Sequence, residues 1–292
     1  MHKRFILNRG GTTAVLAIVV VVFGILGATH NLAAQQPEDR FQRAYAVNNG
    51  STLSVENYKG TIHVTGADTR QVVVNVVKRF EGSESERKWW MENTQVNFRS
   101  DSSRVAVGVK YPSMNCFFCW GEHVYTSEVE LEIQVPRQIN VDLNGYKPEI
   151  RISSVEGDIR IKSYKAPVTI DSTSGAIRIE TYKDTLRLKN VAVHGGLDVH
   201  SFKADTEVDA KSLEGTSTVE SEKGTIVLRL PSNVGLNVDY SGGRHSSFHS
   251  DFPLAAQAGR WGGDVRGTIN QGGPLLRLRT TKGSIALEKA FF

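Results

Sequence analysis

The chain has 292 residues, with 35 Lys and Arg against 31 Asp and Glu, a formal net charge of +4 and a pI near 9.0. Three of the basic residues, Lys3, Arg4 and Arg9, fall within the first 34 positions, which hold no acid, so 32 basic groups face 31 acidic ones in the remainder. That near balance excludes the electrostatic footprint of a nucleic-acid binder, and the length suits one large domain or two small ones.

Residues 1–34 have the layout of an export signal: a basic start, an unbroken apolar run from Ala14 to Ala28, then Leu32-Ala33-Ala34 before Gln35. Cleavage after Ala34 and retention as an N-terminal anchor are both open, although the apolar run is short for a spanning helix. In either case the chain is expected outside the cytoplasm, in the periplasm or at the cell surface. The membrane is touched only through this segment if it is retained. Residues 35–46 are polar and read as a tether, and 47–292 read as one domain.

That domain opens with Leu53-Ser-Val-Glu-Asn-Tyr-Lys-Gly60-Thr-Ile-His-Val64, an alternation of apolar and polar residues around a Tyr-Lys-Gly corner. A valine-rich strand follows from Gln71 to Lys78. Ser83 with Glu86 three residues on predicts a capping box, opening a short helix that carries Trp89, Trp90 and Met91. Strands are expected over Gln95–Arg99, Arg104–Tyr111, Glu128–Val135 and Ile139–Leu143. Between the second and third of these lies Cys116-Phe-Phe-Cys119-Trp120, with His123 close behind. Three readings of it stay open. Two cysteines in an exported chain most simply form one disulfide. A redox pair would want a helix N-terminus behind it, and a metal site with His123 lacks a visible fourth ligand.

From Asn144 onward the chain repeats itself. Pivot residues fall at Gly157, Ala166, Gly175 and Asp184, a step of nine, and the pattern returns at Gly224 and Gly283. Two series interleave. One is Tyr146-Lys147, Tyr164-Lys165, Tyr182-Lys183 and Phe202-Lys203; the other is Ser154…Gly157, Ser172…Gly175 and Ser212…Gly215. Each pivot is followed by a short alternation, as in Ile159/Ile161 and Ile177/Ile179, which puts apolar residues on one side of a strand. Such a strand cannot bury its apolar face alone, and stacking successive turns closes a core. The prediction is an all-β fold: a single-domain β-solenoid or flattened β-roll with two strands per turn, repeats of about twenty residues, and an N-terminal insertion containing the helix. Lys162, Glu180 and His200 are then expected as neighbours on the solvent face. Asn233–Tyr240 adds a strand, Ser241–Gly263 reads as irregular, and Leu278–Leu287 is one more copy.

The units at Gly157, Gly175, Gly224 and Gly283, together with Gly267-Thr-Ile…Gly272-Gly273-Pro before the final unit, resemble the bacterial putative-adhesin family of exported repetitive β-solenoid domains over roughly residues 47–290. The resemblance implies a surface or adhesion role and brings no catalytic residue with it. The Cys116–Cys119 loop is not part of the pattern.

Candidate chemistry outside the repeat is thin. His245 and His249 stand four apart amid Gly and Ser and read as loop histidines. Asp198 and His200 share a face, but alternation throws Ser201 to the other side, so no triad forms. Asp205, Glu207 and Asp209, with Asp171 and Glu180 on earlier turns, are the carboxylates a sugar-cleaving site would draw on, but basic residues are interspersed among them. No cofactor, metal or catalytic residue is expected. The expected function is non-catalytic binding or adhesion at the cell envelope, with Tyr146, Tyr164, Tyr182 and Phe202 as a ridge for an envelope polysaccharide or surface protein. The competing classes are an envelope polysaccharide hydrolase or lyase, and a membrane-anchored scaffold or sensor.

Overall fold

The computed structural model describes residues 38–112, 127–254, 257–258 and 264–290, which lie within one compact unit, Gln36–Phe292. The first described elements are β1 (Glu38–Ala46), β2 (Thr52–Ala67) and β3 (Gln71–Arg79), then α1 (Glu84–Asn93), then β4 (Gln95–Ser100), β5 (Arg104–Lys110) and β6 (Glu128–Pro136). The repeat block forms β7 (Asn140–Ser153), β8 (Ile159–Lys165), β9 (Val168–Asp171), β10 (Ser174–Leu213) and β11 (Ser217–Pro231). After it come β12 (Leu236–Ser250), β13 (Gln257–Ala258), β14 (Val265–Ile269) and β15 (Leu275–Ala290). The fold is the expected all-β solenoid, with α1 as the helix of its N-terminal insertion.

Each coil consists of two half-strands joined at a corner. In β2 the first half, Thr52–Glu56, pairs in parallel with β5, the second half, Gly60–Ala67, pairs with β6, and both halves pair with β7. Period-two alternation sends Leu53 and Val55 inward from one half and Ile62 and Val64 from the other, into a single core cluster. Parallel register then aligns like with like. Leu53, Val141, Ile159 and Ile177 form one internal column, and Ile62, Ile150, Val168 and Leu186 another. All eight are buried, and each contributes about 1.5–3 kcal/mol by leaving water.

Outer corners need backbone that most residues avoid. Ser154, Ser172 and Asn190 adopt φ of 58°, 54° and 55° at equivalent points of successive coils. A side-chain ladder holds the next turn: Asn140 Oδ1 accepts from the Asp158 amide at 2.9 Å, and Asp158 Oδ1 from the Ala176 amide at 3.1 Å. The repeat of 18 residues in the sequence is this ladder's step.

Stacking order departs from chain order at both ends. β2 lies directly against β7, although 72 residues separate them, because β3 to β6 form the layers on its other side. At the far end β15 lies between β11 and β12, paired in parallel with both. The last repeat therefore fills an internal slot, and β12, with β14 antiparallel on it, is the outer coil.

Three expectations are corrected. Residues 38–46 are not a tether but the strand β1, antiparallel to β3. Their polar composition hides a weak alternation in which Phe41 and Tyr45 turn inward onto Phe98, at ring separations of 6.3 and 6.0 Å. The stretch after Tyr240 is not irregular throughout, since β12 runs on to Ser250 across a register shift between Gly242 and His245. His245 and His249 are therefore exposed strand residues rather than loop residues. Where the sequence predicted a capping box, one is present: Ser83 Oγ accepts from the Glu86 amide, and the Glu86 carboxylate accepts from the Ser83 amide at 3.0 Å. It starts α1, which buries Trp90 against Phe80 at 5.7 Å.

Candidate functional site

The corner between the two half-strands of each coil carries the Tyr/Phe-Lys pairs. A small polar residue usually precedes the ring: Thr181, ahead of Tyr182, donates its Oγ1 to the Lys183 carbonyl at 3.4 Å, and at the ringless corner one coil past Phe202 Ser221 Oγ donates to the Lys223 carbonyl at 3.0 Å. With its inward neighbour held, the next side chain must point out, and parallel register sets it above its counterpart one coil away.

The rings form one column. Tyr58 stacks on Tyr146 at 4.9 Å between centroids, Tyr146 on Tyr164 at 4.7 Å, Tyr164 on Tyr182 at 4.6 Å and Tyr182 on Phe202 at 4.7 Å, with interplanar angles of 15° or less. The spacing is that of neighbouring strands, so the backbone dictates the stack. Each contact adds about 0.5–1.5 kcal/mol beyond burial. All four ridge residues expected from the sequence, Tyr146, Tyr164, Tyr182 and Phe202, are brought together. Tyr58 is a fifth, missed as a ridge member although Asn57-Tyr58-Lys59-Gly60 carries the same corner signature. Ring faces inside the column cover one another, so what reaches solvent is ring edges and phenol hydroxyls.

Lysines follow the rings along the same corner. Lys147 lies over Tyr146, Lys165 over Tyr146 and Tyr164, and Lys183 over Tyr182, with Nζ 5.2–5.9 Å from the ring centroids. Lys203 and Lys223 both lie over Phe202, at 5.6 and 5.5 Å. The lysine row outruns the aromatic one: Glu222 occupies the ring position one coil on, while Lys223 and Lys282 continue the row in register.

Beside the rings runs a groove of about 810 Å³, lined on its far side by Lys162, Glu180, His200 and Glu220. These are neighbours, as expected: Lys162 pairs with Glu180 at 3.0 Å, and His200 with Asp198 at 2.8 Å and Glu220 at 3.4 Å. At the N-terminal end the column meets a buried polar cluster. The Tyr111 hydroxyl sits 2.9 Å from Asn57 Oδ1 and 2.7 Å from the Lys59 carbonyl, and accepts from the Val129 amide at 3.1 Å. Burial pushes its pKa far up, so it stays a protonated donor. Burial also lowers the pKa of Lys59 and raises that of Glu128 nearby.

Carboxylates weighed for hydrolysis are engaged elsewhere. Asp205 Oδ1 accepts from the Thr225 amide at 2.9 Å, Asp209 pairs with Arg229 at 3.0 Å, Glu207 lies 4.0 Å from Arg187, and Asp171 accepts from Asn190 at 3.1 Å. All these bonds run from one coil to the next, so they serve the stack. Among the described residues no group of His, Cys, Asp and Glu could hold a metal ion, and no helix is long and apolar enough to cross a membrane. Cys116, Cys119, Phe117, Phe118, Trp120 and His123 lie outside the described residues, as do residues 1–37 and Phe291-Phe292.

Parallel coils, internal columns of aliphatic residues and external ladders of paired side chains define a β-solenoid with a decorated corner. The chain belongs to the Toastrack DUF4097 family, whose model matches residues 47–288. The resemblance drawn from the repeat units is thereby upheld. Among solved structures, the chain is similar to a "putative cell adhesion protein" from Clostridium sporogenes, with 9% identity, TM-score 0.40, 86% of this chain and 100% of that one covered. It is also similar to a "putative adhesin" from Bacteroides fragilis, with 11% identity, TM-score 0.35, and 86% and 97% covered. A "putative lipid binding protein" from Parabacteroides distasonis shares 7% identity at TM-score 0.25, with 87% and 97% covered. No curated protein matches the chain.

Proposed function

We propose that this is a non-catalytic, exported protein of the cell envelope whose Tyr/Phe-Lys corner binds an extended ligand, with envelope polysaccharide as the expected partner. One observation carries the reading: five rings and their lysines form a continuous outward column beside the groove lined by Lys162, Glu180, His200 and Glu220. An uninterrupted array at strand spacing suits a partner that repeats along its own length. The export layout of residues 1–34 supports the location. The engagement of Asp171, Asp205, Glu207 and Asp209 between coils supports binding over turnover.

The test is saturable binding of the full-length protein to envelope polysaccharide fractions and a glycan array, with a hydrolysis screen on the same polymers. Tyr164→Ala/Tyr182→Ala should weaken binding while circular dichroism still reports a folded β protein. Tyr164→Phe/Tyr182→Phe, which keeps the stack, should weaken it less. Unchanged affinity in the alanine variant removes the ridge from the reading, and release of shorter saccharides overturns the non-catalytic part.

A further inference from the structure

The corner lysines present a problem that the fold itself does not resolve. Lys147, Lys165, Lys183, Lys203, Lys223 and Lys282 stand one per coil along one line, at roughly 4.8 Å per step. Like charges so close repel one another. Cation–π contact with the rings offsets part of that cost. Among the described residues, none of the six has a carboxylate within ion-pair distance, whereas Lys162 in the neighbouring row is paired. The neighbouring row pairs its side chains from coil to coil, Lys162 with Glu180 and His200 with Glu220. The corner does not.

Acidic groups do flank the line, and most are already engaged. On one side Glu149 pairs with Arg151, while Asp184 Oδ1 and Asp205 Oδ1 accept from the Thr185 and Thr225 amides at 2.9 Å. On the other, Glu180 pairs with Lys162 and Glu220 with His200, leaving Glu222 at the C-terminal end of the aromatic column. A single line of cations therefore runs between two rows that carry carboxylates.

We propose that this lysine line, resting on the ligand-binding reading above, is the docking track for a linear anionic polysaccharide lying along the solenoid. The geometry selects among polyanions. A flat anionic membrane or a DNA duplex would press its phosphates onto the flanking carboxylates as well as the lysines. Single-stranded nucleic acid gains affinity by stacking bases on open ring faces, and here the faces inside the column are taken by one another. A neutral glycan lacks the charge that the line calls for. A thin chain bearing carboxylates meets the lysines and, beside them, the phenol hydroxyls of Tyr146, Tyr164 and Tyr182, which have no protein partner among the described residues.

The test is binding of the full-length protein to polygalacturonate, with dextran, phosphatidylglycerol vesicles and oligothymidine as comparators, at several salt concentrations. Polygalacturonate should bind saturably and best, and more weakly as salt rises. Lys165→Gln/Lys183→Gln/Lys203→Gln should reduce its affinity roughly tenfold, since each exposed charge contact contributes a factor of about two or more. It should also flatten the salt dependence. The charge-matched control Lys88→Gln/Lys189→Gln/Lys211→Gln, on exposed lysines away from the corner, should change little. Equal loss in both triple variants, or preference for vesicles or oligothymidine, overturns the proposal. Binding of neutral polysaccharide with none of polygalacturonate overturns it too, while leaving the function proposed above standing. Binding of no polysaccharide at all removes both.

Discussion

At the residue scale the corners are where the chain has least freedom. Gly283 adopts φ of +146° and a Cβ there would stand 2.0 Å from the Gly224 carbonyl oxygen in the next coil, so both its backbone and its space are reserved. Gly50 also has positive φ, at +76°, but nothing lies within 4 Å of its Cβ position. Gly283→Ala should therefore cost about 3 kcal/mol and Gly50→Ala about 1 kcal/mol, measured by urea denaturation of the two variants. Equal losses would mean that conformational strain alone, without the close approach, governs these sites. Asp184 shows how the sequence coped without glycine: it holds φ of 93°, and its carboxylate accepts from the following amide at 2.9 Å. That substitution was legible because the step of nine demanded a turn former there. The reason each glycine is needed was not legible, because the opposing carbonyl belongs to a different repeat.

At the element scale, α1 is the single helix among the described residues, and its start is the best-marked local feature outside the repeats. Ser83 and Glu86 satisfy each other's backbone amides, and Thr94 closes the helix with its amide on the Trp90 carbonyl. Ser83→Ala should lower stability by about 1 kcal/mol, read as a shift in the denaturation midpoint, and should loosen the packing of Trp90 on Phe80, read in tryptophan fluorescence. An unchanged fluorescence would show that tertiary packing holds the helix without its cap. By contrast β1 escaped the sequence reading. Its inward residues are two aromatics separated by charged and polar groups, and an edge strand needs only one good face. The second half of β12 escaped for a related reason: its register shift at Gly242–His245 breaks the alternation that marks a strand.

At the scale of the whole molecule, the placing of β15 between β11 and β12 couples the two ends of the C-terminal region. Leu276, Leu278, Ile285 and Leu287 are buried there, together contributing about 6–12 kcal/mol. Because solenoid stability is a sum over neighbouring coils, a chain ended after Gly273 should lose hydrogen-exchange protection in β12 and β14 while β7, β8 and β10 keep theirs. Loss of protection throughout would mean that the stack unfolds as one cooperative unit, sealed by its last strand.

The all-β class, the two-strand coil, the alignment of Tyr146, Tyr164, Tyr182 and Phe202, and the helix at Ser83 are all written in the order of side chains along the chain. Each of these follows from side-chain periodicity or from a cap, which are local along the chain. The packing of coils adds that Tyr58 joins the column, that Lys223 and Lys282 extend the lysine line past its last ring, and that β15 sits inside the stack rather than at its end. Those facts depend on which coil lies against which, and repeat units of similar pattern leave that order degenerate. Residues far apart in sequence, in the insertions and at the edge strands, break the degeneracy.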